Sequence, residues 1–234
     1  MKIALLGYGK MGKEIENHAK KRNHEISFIL DKKFEDGKIN NSDVAINFSI
    51  PEAAVSNIKL ALERNIPVVS GTTGWLNDYD SIISFCQKKK GAFLYAPNFS
   101  IGVNLFFKIN QYLAKLMKPY ENQYTTYLKE IHHTNKLDAP SGTAITLAEE
   151  ILKYYDYKDW SLQKKDDTSL HISSVRKDEI PGTHKVSYFS DIDEISIKHK
   201  AFNRDGFAFG AVIAAEWILN KKGVFSMKDV LNIT

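Results

Sequence analysis

Residues 2–22, KIALLGYGKMGKEIENHAKKR, decide how the rest of the chain is read. The segment opens with a short apolar strand, residues 2–6. It turns at glycine, then places Met11, Ile15 and Ala19 at helical spacing. Between strand and helix stands Gly7-Tyr8-Gly9-Lys10-Met11-Gly12. In such a loop the first glycine permits the tight turn, the second lets a pyrophosphate reach the backbone, and the third lets helix and strand pack closely. The amides at the helix start then face phosphate oxygens. A second strand, residues 26–30, ends at Asp31, nineteen residues after Gly12, where a carboxylate can hold the hydroxyls of an adenosine ribose. A glycine-rich turn and a solvated aspartate would leave the same trace. Asp31 favours an unphosphorylated ribose, whereas Lys32 and Lys33 tolerate a 2′-phosphate, so NADH and NADPH both stay open.

Three more strand-then-helix units follow: DVAINFS with PEAAVSNIKLALERN, PVVSGTTGW with DYDSIISFCQKKK, and AFLYAPNFSIGVN with LFFKINQYLAKLMK. Short apolar strands alternating with helices of this length predict a parallel sheet, with ligands beyond the strand C-termini. That rim holds Phe48 and Ser49, then Gly71-Thr72-Thr73-Gly74, then Ala96-Pro97-Asn98-Phe99. Gly71 and Gly74 open a loop toward a nicotinamide, with Thr73 offering a hydroxyl, or GTTG is a plain turn. Asn98 bonds a carboxamide or caps its own loop.

From about residue 124 the pattern turns strand-rich. NQYTTYLKEIHH, HISSVR, HKVSYFS and DEISIKHKAF read as strands, with a helix over about 143–155. This is an α+β arrangement, a mostly antiparallel sheet with a helix on one face. FAFGAVIAAEWILNKKG then reads as a helix ending at Gly223. The fold class expected is α/β: a Rossmann-like dinucleotide-binding domain, residues 1–102 and 205–234, with an inserted α+β substrate and oligomerisation domain, residues 103–204.

The inserted part contains EIHHTNKLDAPSGTAITLAEE, residues 130–150. His132 and His133 are consecutive near a strand end, so their side chains diverge and one of them faces a ligand. Imidazole suits general acid work at neutral pH, and Lys136 could pair with a carboxylate or favour charge on a ring nitrogen. Ser141 reads as a helix N-cap, and Gly142 and Thr143 expose amides at a positive helix end. The competing reading is a capping serine with one core and one surface histidine. The concentration of acid, cation and anion cradle favours a site for a dicarboxylate. His184 could help enclose the ligand. Arg176 reads as structural, and Arg204 as a ligand contact or a linker ion pair.

Composition narrows the partners. The 234 residues carry 32 basic and 28 acidic side chains, net +4, too little to argue for nucleic acid. No apolar run approaches the ~18 residues of a membrane span. One cysteine, Cys86, excludes an internal disulfide framework, reads as an inert core thiol and fits a cytoplasmic protein. No metal is expected, because histidines and acids show no compact three-ligand spacing.

Taken together, LLGYGKMG, SGTTG, APNFSIGVN, HHTNKLDAPSGTA, VRKDEIPGTHKVSY and HKAFNRDGFAFGAV resemble blocks of the dihydrodipicolinate reductases, from Lys2 through to the last residues. The resemblance implies His132 as proton donor, His133 as a substrate-binding partner, Lys136 as the essential lysine, and Ser141, Gly142 and Thr143 as the grip on a substrate carboxylate. It implies Gly7, Met11, Gly12, Asp31, Gly71, Thr73, Ala96 and Phe99 around the cofactor. The loop and rim readings add Gly9, Lys10, Phe48 and Asn98. It further implies hydride transfer from NADH or NADPH to a cyclic imine dicarboxylate on the route to lysine and diaminopimelate, domain closure, and a homotetramer joined through the substrate-domain sheets. Two departures stand out. Many members have histidine at Asn135, and the stretch between Leu30 and Asp43 is short. The alternatives are another two-domain NAD(P)-dependent dehydrogenase acting on a small amino acid or aldehyde, and a non-catalytic nucleotide-binding regulator.

Overall fold

The computed structural model describes residues 1–32, 34–163, 168–203 and 205–233; Lys33 and Arg204 lie outside the described residues. In chain order the elements are β1 (Lys2–Leu6), α1 (Lys10–Lys21), β2 (Glu25–Asp31), β3 (Phe34–Gly37), β4 (Val44–Asn47), α2 (Pro51–Leu62), β5 (Val68–Ser70), α3 (Tyr79–Lys88) and β6 (Ala92–Tyr95). Then come α4 (Ile101–Met117), β7 (Thr125–His132), α5 (Gly142–Leu152), β8 (Asp159–Ser161), β9 (Ser169–Arg176), β10 (Gly182–Phe189) and β11 (Glu194–Ala201). The chain ends with α6 (Asp205–Ile218), β12 (Gly223–Phe225) and α7 (Met227–Leu231). It divides into two compact units, Met1–Ile101 with Asp205–Thr234, and Gly102–Arg204.

The first unit is built on a seven-stranded sheet in the order β12-β6-β5-β4-β1-β2-β3. Every pairing is parallel except the β2–β3 hairpin. Winding runs outward from β1 to β2 and then resumes at β4 on the other side of β1. This makes a topological switch point where a ligand site is expected. Alternation along the strands feeds two cores. Ile3, Leu5, Ile46, Val69 and Leu94 pack with Ile15 and Ala19 of α1 and Ala208, Ala211, Val212 and Ala215 of α6. Ala4, Leu6, Ala45, Val68 and Phe93 pack on the opposite face with Ala54 and Ile58 of α2 and Ile82 and Cys86 of α3. Cys86 is fully buried and burial pushes its thiol pKa up, which fits an unreactive core residue.

Two expectations need correction here. The helix read through to Gly223 stops at Ile218, because Asn220 takes a left-handed φ of 62° and turns the chain. Gly223 instead opens β12, which adds to the sheet beside β6. The short stretch after Leu30, which carried no strand in the sequence reading, holds β3.

The second unit has a five-stranded sheet, β11-β10-β7-β9-β8. It is mixed, not mostly antiparallel. The β10–β11 and β10–β7 pairs are antiparallel, while β7–β9 and β8–β9 are parallel. The reason is connectivity: the chain leaves β7, crosses through α5, and returns in the same direction. Leu128, Leu170, Ile172, Val186 and Tyr188 face Ala144, Leu147, Ala148 and Ile151 of α5 and Phe106, Ala114 and Met117 of α4.

Candidate active site

Each unit gathers its own set of candidate residues. In the first, Gly7 leaves β1 at φ 101°, its amide bonded to the Leu30 carbonyl at 2.7 Å. A Cβ there would sit 2.3 Å from the Phe48 carbonyl oxygen, so this turn tolerates no side chain. Gly9 caps α1 without any side-chain bond, and a Cβ on it would meet nothing within 4 Å. Helix α1 has no acidic residue in its first turn, and Lys10 at its start is exposed. This open, uncapped, positive helix end fits an extended diphosphate. Gly12 is buried with its Cα hydrogens against the Gly7 carbonyl, and Met11 is half-buried on the adjoining core. Asp31 ends β2 and accepts the Tyr8 amide at 3.2 Å, which draws its carboxylate to the glycine loop.

Along the same rim, Phe48 lies over Gly71, where a Cβ would be 2.2 Å from the ring, and packs on Phe99 at 5.6 Å between centroids. Ala96 and Phe99 are buried and back the Phe48 ring, whereas Thr73 is exposed. Asn98 accepts the Ser100 amide at 2.9 Å, so one of its functions is to cap its own loop. A polar lock that the sequence reading missed joins β4 to β5. Buried Asn47 donates to the Ser70 hydroxyl at 3.0 Å and accepts from Ser49 (2.8 Å) and Asn57 (3.2 Å). The Ser49 amide meets Thr72 at 2.9 Å. Four of these residues sit at strand ends or in the turns, where a buried asparagine must be fully bonded to be tolerated.

In the second unit, β7 alternates strictly, so Glu130 and His132 share its buried face and His133 lies just past the strand, half-buried. The His132 Nδ1 hydrogen-bonds Glu130 Oε2. Glu130 Oε1 accepts from Ser174 and from Arg176 Nη1 at 2.9 Å. Arg176 also donates to the carbonyls of Lys136 (3.2 Å) and Asp138 (2.5 Å), binding the loop after β7 to β9. The Lys136 ammonium is half-buried and held by both Asp138 oxygens at 2.7 and 2.8 Å. That contact, first among its causes, lowers the Asp138 pKa.

Ser141 accepts the Ala144 amide at 3.2 Å and so caps α5. Gly142 and Thr143 follow, Gly142 exposed with open space where a Cβ would be. Behind Ser141 lies His184, whose Nε2 is 3.1 Å from the serine oxygen and whose ring meets that of His132 edge-on at 5.1 Å. His132, Lys136 and the Ser141 turn therefore converge, as do His184 and Arg176. The network adds Glu130 and Ser174, which the sequence reading did not single out. The signal for Glu130 was there: two residues before His132 on a strand is the same face. The fold also brings Glu130, His132 and His184 to ligand-like spacing, within 4.8 Å, which linear spacing did not reveal. Both Glu130 oxygens are already taken by donors, one of them cationic.

Burial, with His132 beside it, pushes the His184 pKa down to about 3, and burial lowers that of His199. The unfolded chain binds these protons near pH 6.5, but the fold refuses them, so acid favours unfolding. Stability from neutral His184 is complete above the ordinary imidazole value of 6.5 and is lost as pH falls toward 3. The denaturant midpoint of the wild type should drop between about pH 7 and about pH 5, and His184→Gln should flatten that drop.

Two family models match the chain: dihydrodipicolinate reductase, N-terminus, over residues 1–99, and dihydrodipicolinate reductase, C-terminus, over residues 102–231. A 4-hydroxy-tetrahydrodipicolinate reductase of Christiangramia forsetii is 52% identical over 235 residues, covering 99% of this chain and 98% of its own. One from Archaeoglobus fulgidus is 34% identical over 97% of this chain and 83% of its own. Among solved structures, a dipicolinate-bound dihydrodipicolinate reductase from Paenisporosarcina sp. TG-14 superposes with a TM-score of 0.81 at 23% identity, covering 98% of both chains. Among the described residues no helix is long and apolar enough to cross a membrane.

Proposed function

Since the chain belongs to the dihydrodipicolinate reductase family, we propose that its second unit binds and protonates the dicarboxylate ring while its first carries the dinucleotide. The activity is 4-hydroxy-tetrahydrodipicolinate reduction with NADH or NADPH, a step of lysine and diaminopimelate biosynthesis. The single observation that carries the division of labour is that His132, bonded through Glu130 to the Arg176 that holds the Lys136 backbone, lies ring-to-ring against the His184 bonded to Ser141 at the α5 start.

The reduced nicotinamide supplies a hydride when bound; the protein supplies placement and polarisation. Gly7, Gly9, Lys10, Met11 and Gly12 would hold its diphosphate. Asp31 would hold its ribose, and Phe48, Gly71, Thr73, Ala96, Asn98 and Phe99 would form the nicotinamide rim. The substrate first loses water to give a conjugated cyclic imine. A hydride enters at C4, the displaced electron pair moves along the C=C–C=N system toward nitrogen, and one proton completes the product. His132 provides the proton, His133 binds beside it, and Lys136 stabilises charge developing on the ring. Ser141, Gly142 and Thr143 take one carboxylate at the N-terminus of α5. We assign the chain to the cytoplasm and to a homotetramer. The sheet face of the second unit opposite α4 and α5 supports the latter, with Phe189 on it 43% exposed.

The test is oxidation of NADH and of NADPH, each followed by absorbance, with freshly generated pathway substrate and purified protein. Substrate-dependent oxidation is the expected result, and comparing the nucleotides settles what Asp31 leaves open. Absence of oxidation with either nucleotide overturns the reading.

A further inference from the structure

Glu130 is a carboxylate with 0% exposure on the central strand of the second unit's sheet, and no step of the proposed reaction uses it. Its surroundings are specific. From its own strand it meets His132; from β9 it meets Ser174 and Arg176. His184 on β10 stands edge-on to His132, and the loop lysine Lys136 is tied to the same Arg176 through its carbonyl. Burial pushes the Glu130 pKa up, but the bonds from His132, Ser174 and Arg176 outweigh it and hold the group near 2.

An ionised carboxylate can only accept hydrogen bonds, so the His132 Nδ1 facing it carries a hydrogen. The other ring nitrogen, Nε2, is then the one left to take and give a proton. Gly182 stands beside that atom: a Cβ added there would lie 3.0 Å from Nε2. A ring pinned at Nδ1 has little room to yield.

We propose that Glu130 is a positioning residue for proton delivery: it fixes His132 in the Nδ1–H form, so that Nε2 is the nitrogen exchanging a proton with the substrate. The proton leaves Nε2 of the imidazolium for the reduced ring, the N–H electron pair stays on nitrogen, and solvent restores the proton. Arg176 and Ser174 keep Glu130 anionic, and Arg176 couples this arrangement to the Lys136 loop. The assignment rests on the reading of His132 as the donor.

The test joins a spectroscopic and a kinetic readout on the full chain. With 15N-histidine labelling, and His132 assigned by its loss in His132→Asn, the wild type should show neutral His132 protonated at Nδ1. Glu130→Gln should shift it toward a mixture of tautomers. It should also lower kcat by about a hundredfold. Affinity for NADH or NADPH and for the probe pyridine-2,6-dicarboxylate should be unchanged, and Glu130→Asp, which keeps the charge, should recover part of the rate. Gly182→Ala should lower kcat while leaving the Nδ1–H form in place. Neutral His132 protonated at Nε2 in the wild type overturns the proposal even if Glu130→Gln does not fold. So does a Glu130→Gln enzyme with wild-type kcat. If the wild type itself oxidises neither nucleotide, the functional reading fails and takes this assignment with it.

Discussion

Replacing Lys136 with alanine should lower kcat by about a hundredfold to a thousandfold, the range seen when one preorganised hydrogen-bond donor to a developing anion is removed. The fold should not follow. The backbone at this position is fixed independently of the side chain, through its amide to the His133 carbonyl at 3.1 Å and its carbonyl from Arg176 at 3.2 Å. The ammonium itself is bonded to Asp138, a partly exposed pair whose loss costs little stability. A dicarboxylate ring entering the site offers the ammonium a second anionic partner. The change should therefore appear in turnover more than in thermal midpoint or in nucleotide affinity. Steady-state kinetics beside a melting curve would read both, and a Lys136→Ala protein with ordinary turnover would sink the assignment.

Gly9→Asp should separate folding from nucleotide binding still more sharply. Open space surrounds the Cβ position, and aspartate is a preferred N-cap, so the variant should melt at the wild-type temperature or slightly above it. The same carboxylate would stand where the cofactor's diphosphate docks, and facing like charges cost several kcal/mol, so affinity for NADH and NADPH should fall by about a thousandfold. Fluorescence titration of the reduced nucleotide measures this directly. Gly7→Ala is the contrasting control. It should destabilise the protein, because its Cβ collides with the Phe48 carbonyl and its φ of 101° disfavours any side chain. Tight binding by Gly9→Asp would remove the glycine loop from the cofactor site.

Much of this was legible in the linear chain because its signals are local. The β1 strand, the glycine turn and the start of α1 lie within about a dozen residues, and Ser141 announces its helix through cap chemistry alone. What escaped depends on partners far apart in sequence. Asn47 is an ordinary strand-end residue until Ser70 and Asn57 converge on it. The face of Glu130 could be read from its spacing to His132, but its bonds to Ser174 and Arg176 come from β9, and His184, named as a possible ligand contact, shows its bond to Ser141 only once β10 is in place. The parallel β7–β9 pairing likewise follows from a crossover and not from any pattern within either strand.

The interrupted build of the first unit has a consequence for synthesis. Helix α6 supplies six fully buried alanines and aliphatics to one face of a sheet whose central strands were made more than a hundred residues earlier: Ala208, Ala211, Val212, Ala214, Ala215 and Ile218. A nascent chain emerging from the ribosome therefore displays Ile46, Val69 and Leu94 without their cover until residues 205–218 have been translated. During that interval chaperone occupancy should be high, and a stop codon placed before Asp205 should leave an aggregation-prone product, not a free-standing nucleotide module.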